Sequence, residues 1–227
     1  MQKQNLTLGP LEIRNLTQRK ISILGGTGSG KTSTLKMIAA VSPVPVFIFD
    51  PLNVIRIKDF DRVVFPKTSW EKGAEAGKLF SKMKARNMIF SFRDMLQEEL
   101  SQFANAFFSN WKPKSCLIGM DEVHEFIPEG GVGGKYAPEI ERAVRHWRNE
   151  DVGFVFTSQR PALVKKNVLA LTDYLILYRT TWTHDLNAAK ELIQNMPGID
   201  VPQVLAGLQT KSFLEGYSLD FRGNEPA

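Results

Sequence analysis

Short apolar runs recur along the chain, with segments of mixed polarity between them. The runs are Lys20–Leu24, Val44–Phe49, Val63–Phe65, Met88–Phe92, Cys116–Met120, Val152–Thr157 and Tyr174–Tyr178. They are rich in β-branched and aromatic residues and mostly continuous, the pattern of strands buried on both faces. Trp70–Arg86, Asp94–Asn110, Pro138–Glu150 and Asp185–Asn195 read as helices, and Thr32–Ala40 places Leu35, Ile38 and Ala39 at helical spacing. Strands alternating with helices predict an α/β fold, a mostly parallel central sheet flanked by helices. The two ends differ. Asn5–Asn15 and Gln209–Phe221 are alternating and turn-rich, and read as short strands that extend or flank the core sheet. No repeat, low-complexity tract or long linker interrupts the pattern. Residues 1–227 therefore read as a single domain, with peripheral β segments at 1–15 and 209–227.

Composition narrows the picture modestly. Hydrophobic residues make up 43% and charged residues 23% of 227, as in an ordinary globular protein. A net charge of +5 suits a polyanionic partner without proving one. Cys116 is the single cysteine, so no internal disulfide forms, and its apolar strand predicts a small buried hydrophobe in a reducing compartment. Met1–Asn5 is polar with no apolar stretch of signal-peptide length behind it, and no run approaches the ~20 residues of a membrane span. Any contact with a membrane is expected through partners.

The first chemical signal is GGTGSGKT, Gly25 to Thr32. It fits the phosphate-binding loop pattern, follows an apolar strand and opens a helix, as that loop must. Gly25, Gly28 and Gly30 can take positive φ, which lets backbone N–H groups curl around a phosphate. The helix beginning near Lys31 turns its N-terminus toward the same anion. Gly25, Gly26, Thr27, Gly28, Ser29, Gly30, Lys31, Thr32 and Ser33 are the expected ATP-binding set. Lys31 would reach the β- and γ-phosphates, and the Thr32 hydroxyl would ligate Mg²⁺.

The second signal is the strand Cys116–Met120 running into Asp121-Glu122. Asp121 would hold Mg²⁺ and Glu122 would polarise the attacking water, as in a Walker B element. Their side chains diverge, so one can face the metal and the other the nucleophile. Asp121-Glu122-Val123-His124 is similar to the DExH box of two-lobed helicases, which need a second lobe that 227 residues leave no room for. His124 is left outside the catalytic set. His146 and His184 share no metal-ligand spacing with it. A third polar strand end, Thr157-Ser158-Gln159-Arg160-Pro161, offers Gln159 with both donor and acceptor atoms.

Together, GGTGSGKT, the apolar strand into Asp121-Glu122 with His124, Thr157–Pro161, Phe49-Asp50-Pro51 and the late strand Tyr174–Thr180 resemble the FtsK/HerA superfamily of DNA-pumping ATPases. The chain is most similar to the genome-packaging ATPases of tectivirus-like viruses, which have an internal membrane and double-jelly-roll capsids. The resemblance covers roughly Leu16 to Thr180. It implies a RecA-like additional-strand P-loop NTPase, with Gln159 sensing the γ-phosphate or attacking water. It further implies a homo-oligomeric ring, a hexamer, in which an arginine from the neighbouring subunit completes each site. Arg148 is the first choice, lying just before the Gln159 strand; Arg145 and Arg160 come next. Three-residue spacing would align Arg142, Arg145 and Arg148 along one helical stripe, which equally describes a solvated basic face. Glu129–Tyr136, with four glycines in five positions, reads either as a surface loop or as a pore loop in which Lys135 and Tyr136 contact DNA.

The implied activity is Mg²⁺-dependent ATP hydrolysis driving sequence-independent translocation of double-stranded DNA into a preformed capsid. The implied partners are portal-vertex, capsid or membrane proteins of the virion, and the implied locations are the packaging vertex and host cytoplasm. Two other readings stay open. One is the same motor in plasmid transfer, DNA-end processing or phage export. The other is an ATP-binding assembly switch with little turnover.

Overall fold

The computed structural model describes residues 5–8, 11–130, 138–180, 182–192 and 217–220. The strands of the main sheet are β3 (Lys20–Leu24), β4 (Val46–Asp50), β5 (Asp61–Pro66), β6 (Met88–Arg93), β7 (Cys116–Met120), β8 (Val152–Ser158), β9 (Tyr174–Leu177) and β10 (Tyr217–Asp220). They lie in the order β10-β9-β3-β8-β7-β4-β6-β5. Every neighbouring pair is parallel except β10 with β9. A RecA-like order results: β8 is inserted between the strand before the glycine loop and the strand ending in Asp121.

Burial on both faces explains the continuous apolar runs. Side chains alternate between two cores. Phe47, Phe49, Phe90, Phe92, Ile118, Met120, Phe154 and Phe156 enter an aromatic layer under α2 (Gly73–Lys82), α3 (Gln97–Asn110) and α4 (Pro138–His146). Val46, Ile48, Ile89, Leu117, Ile21 and Ile23 face the other way, toward α1 (Lys31–Ala40). Phe49 is fully buried with six aromatic rings around it, at centroid distances from 5.1 to 6.4 Å. Two glycines let α2 approach α3. A Cβ at Gly73 or Gly77 would stand 2.2 or 2.4 Å from the Phe103 or Phe107 carbonyl oxygen.

Several boundaries depart from the sequence expectation. Residues Lys67–Lys72 form a 3₁₀ helix before α2, which then ends at Lys82, so Lys84 and Arg86 lie beyond it. The helix expected over Asp94–Asn110 starts at Gln97, where the Glu99 carboxylate accepts the Leu96 N–H at 2.6 Å. The segment Pro138–Glu150 is α-helical only to His146 and continues as a 3₁₀ turn, Trp147–Glu150. Arg148 is therefore not on one α-helical stripe with Arg142 and Arg145. α6 covers Thr183–Leu192. The N-terminal segment does not join the main sheet: β1 (Leu6–Leu8) and β2 (Leu11–Ile13) make a separate antiparallel pair. β10 does extend the main sheet, at its β9 edge.

Candidate functional site

The predicted residues converge at the carboxyl ends of β3, β8 and β7. The glycine loop is anchored on both sides. Gly25 N–H donates to the Ser158 carbonyl at 3.3 Å, and Gly26 N–H to the Arg179 carbonyl at 2.8 Å. Glycine is needed at position 25, where φ is 157° and a Cβ would stand 2.5 Å from the Tyr178 Cβ. Tyr178 in turn shares a 2.5 Å hydrogen bond with Thr34 of α1, tying the last parallel strand to the loop's helix. Gly30 caps α1 in the left-handed region, at φ 111°, with no side-chain capping bond. The first-turn N–H groups are thus left for an anion.

Lys31 is buried, and its ammonium donates to the Gly26 carbonyl at 2.8 Å. Burial lowers its pKa from the ordinary lysine value, opposed by the charges of Glu122 and Asp121. The Thr32 hydroxyl lies 3.1 and 3.3 Å from the two Asp121 oxygens. Two hard oxygen donors side by side, at the mouth of a phosphate loop, fit Mg²⁺ completed by phosphate and water. Among the described residues no cluster of three His, Cys, Asp or Glu could hold a metal on its own. Burial pushes the Asp121 carboxyl up to about 6, against the lowering effect of hydrogen bonds from Thr157 and Thr32.

Thr157 was not singled out from the sequence, yet it organises both carboxylates. Its hydroxyl donates to Asp121 Oδ1 at 2.6 Å and accepts the Glu122 N–H at 2.9 Å. The β7–β8 register creates this contact, pairing Met120 with Phe156. Glu122 itself sits in the left-handed region, at φ 45° and ψ 57°. A non-glycine residue held there is strained, and such strain clusters at functional sites. Its carboxylate accepts the Gln159 N–H at 2.9 Å, while the Gln159 side-chain oxygen accepts the Thr27 hydroxyl at 2.6 Å. Gln159 therefore bridges the catalytic-type carboxylate and the glycine loop.

His124 also belongs to this network. Buried beneath the site, its Nδ1 lies 3.1 Å from Ser158 Oγ and 3.4 Å from Glu122 Oε2, and its Nε2 lies 3.2 Å from Glu125 Oε1. Asp50 is fully buried, but its oxygens are taken by Val54 N–H, Ile55 N–H and the Ser91 hydroxyl. It anchors the loop after β4. Cys116 is buried as expected, and burial pushes its thiol up to about 12.

The three arginines separate. Arg160 lines the cleft beside its own subunit's glycine loop, so it would act there in cis. Arg145 pairs with Glu141 and Arg142 with Glu139, both on α4. Arg148 is exposed, and its charge acts on Lys20 and Asp173, at the opposite end of β3 from the loop. It does not meet the site of its own subunit. Lys135 and Tyr136 lie outside the described residues. No described helix is long and apolar enough to cross a membrane.

No protein-family model matches the sequence, and no curated protein matches it. Solved structures do share the fold. The genome packaging NTPase B204 from Sulfolobus turreted icosahedral virus 2, in complex with ATP-gammaS, is 16% identical. The match covers 91% of this chain and 94% of that chain, with a TM-score of 0.56. B204 from Sulfolobus turreted icosahedral virus, described as a DNA-packaging ATPase, is 16% identical over 85% of this chain and 89% of that one, with a TM-score of 0.52. VirB4 of Thermoanaerobacter pseudethanolicus is 12% identical over 84% of each chain, with a TM-score of 0.55. The shared architecture is the RecA-like P-loop NTPase fold, a mostly parallel sheet flanked by helices.

Proposed function

We propose that the chain is a Mg²⁺-dependent ATPase of the FtsK/HerA superfamily, a single-domain motor that drives double-stranded DNA into a preformed viral capsid. The observation that carries the reading is one constellation: a phosphate-type loop, an adjacent Thr32–Asp121 oxygen pair, and a strained Glu122 bridged to that loop through Gln159. The fold shared with B204 over nearly the whole of both chains supports the packaging role.

Each residue has a place in that chemistry. The loop N–H groups and Lys31 bind the phosphates, Lys31 exchanging the Gly26 carbonyl for phosphate oxygens. Thr32 and Asp121 would hold Mg²⁺, which when bound neutralises phosphate charge. Glu122 accepts a proton from the attacking water. Gln159 orients that water or the γ-phosphate and passes the change to Glu122 through its backbone N–H. Thr157 and His124 hold the carboxylates in place. In a hexameric ring Arg148, remote from its own site, reaches the site of the next subunit and stabilises transition-state charge. Lys135 and Tyr136 contact DNA phosphates without reading sequence. The motor docks on portal-vertex, capsid or membrane proteins, at the virion's packaging vertex and in the host cytoplasm.

The test is Glu122→Gln beside wild type. Wild type is expected to hydrolyse ATP with Mg²⁺, faster with double-stranded DNA of arbitrary sequence, the stimulation falling as salt rises. The variant should bind ATP but turn over about 10²–10⁴-fold more slowly. Particles assembled with it should be intact and empty. Normally filled particles would move the motor to transfer, end processing or export; undiminished turnover would remove Glu122 from the chemistry.

A further inference from the structure

A cleft of about 460 Å³ opens beside the tip of the glycine loop. Gly26, Thr27 and Ser29 form one wall, and Arg160, Trp182 and Asp185 line the rest. The volume lies in the range of small-ligand sites. Three features make it more than a surface dent. Trp182 keeps 49% of its surface exposed, although a large indole normally buries itself. The Arg160 guanidinium carbon stands 3.7 Å over the indole ring, so the ring is held as a platform. Asp185 holds the arginine from below: it is 2% exposed, accepts the Ala162 N–H at 3.2 Å and lies 3.6 Å from Arg160 Nε.

The same cleft carries unmet hydrogen-bonding capacity. Ser29 Oγ and Arg160 Nε are both buried with no hydrogen-bond partner among the described residues. Leaving such groups unsatisfied is costly, and a ligand or a small rotation that comes with one would satisfy them. A triphosphate on the glycine loop must send its nucleoside somewhere adjacent. The cleft is continuous with the loop, offers a flat aromatic platform and supplies polar groups at its edge.

We infer that this cleft takes the nucleoside of the bound nucleotide, its purine base stacked on Trp182 and held by the Arg160–Asp185 pair. The inference rests on the ATP-binding reading above. Stacking is indifferent to the base's hydrogen-bonding edge, because every base has a π face. The cleft therefore selects purine over pyrimidine by contact area and discriminates weakly between adenine and guanine.

Two ligands separate the possibilities: ATP and inorganic tripolyphosphate, each with Mg²⁺, titrated calorimetrically into wild type, Trp182→Ala and Trp182→Phe. Wild type should bind ATP more tightly than tripolyphosphate. Trp182→Ala should weaken ATP about tenfold or more and leave tripolyphosphate unchanged, with Trp182→Phe restoring most of the difference. ATP affinity unchanged in Trp182→Ala would overturn the base site. Equal loss of both ligands would also overturn it, making Trp182 a support for the loop. Wild type binding neither ligand would instead remove the ATPase reading itself.

Discussion

β4 and β7 each change character within one residue. Phe49 and Met120 are fully buried in the aromatic layer under α2, α3 and α4. The next residues, Asp50 and Asp121, are as deeply buried but carry carboxylates. The first row is built for packing: Phe49 alone has six rings around it. The second row runs against stability. Burial raises Asp121, Glu122 is strained in the left-handed region, and Lys31 is desolvated. The comparison teaches that the apolar layer offsets the cost of a polar edge held ready for charge, and that the two rows are separable by mutation.

The largest expected effect lies in the packed row. Phe49→Ala should destabilise the fold by about 3–5 kcal/mol, because a cavity opens among rigid rings. Denaturant unfolding measures this. ATP turnover per folded molecule should stay near wild type, since Phe49 makes no contact with Lys31, Glu122 or Gln159. Turnover falling in step with stability would break the separation of the two rows.

Thr157→Val reverses the test at nearly constant shape. It strips the donor from Asp121 and leaves the Glu122 N–H without its acceptor. An unmet buried group costs about 1–3 kcal/mol; felt in the transition state, that is about tenfold to a hundredfold in turnover. Thr157→Ser keeps the hydroxyl and should recover most of the loss. Serine no better than valine would mean that the carboxylates hold their geometry without this bond.

What the sequence discloses follows the same division. The glycine loop, Asp121-Glu122 and Gln159 are legible because each lies within a few residues of an apolar strand that announces it. The sheet is legible because continuous apolar runs have one physical explanation, burial on both faces. Thr157 and His124 are not, because their roles come from register between strands: Glu122 meets Thr157 only once β7 lies beside β8. The Trp182–Arg160–Asp185 cleft joins the end of β8 to the segment after β9, which no local pattern reveals. The Arg142–Arg145–Arg148 stripe misleads for a different reason. Spacing assumes one continuous α-helix, whereas this one tightens to a 3₁₀ turn at Trp147. At the N-terminus alternation fixes strands but not their partner, and β1 pairs with β2 instead of the main sheet.

The smallest effect sharpens the comparison through pH. Mg²⁺ needs the Asp121 carboxylate ionised, and burial has moved its titration to about 6 from an ordinary 3.8. A raised folded value means that protons compete with the metal in a range where an exposed aspartate would be fully charged. Above about 6 the carboxylate is already ionised and metal affinity should be flat with pH. Below it, each unit should lower Mg²⁺ affinity by about tenfold, one proton being displaced per ion. The measurement is Mg²⁺ titration of the nucleotide-free protein across pH 5 to 8, followed by calorimetry in buffers of different ionisation heat. Proton release on binding should grow as pH falls toward the titration point. Asp121→Asn should abolish that linked proton together with most of the affinity. A flat profile down to an ordinary aspartate's range would mean that the Thr32 and Thr157 hydroxyls outweigh desolvation, and that the polar edge costs less than its burial implies.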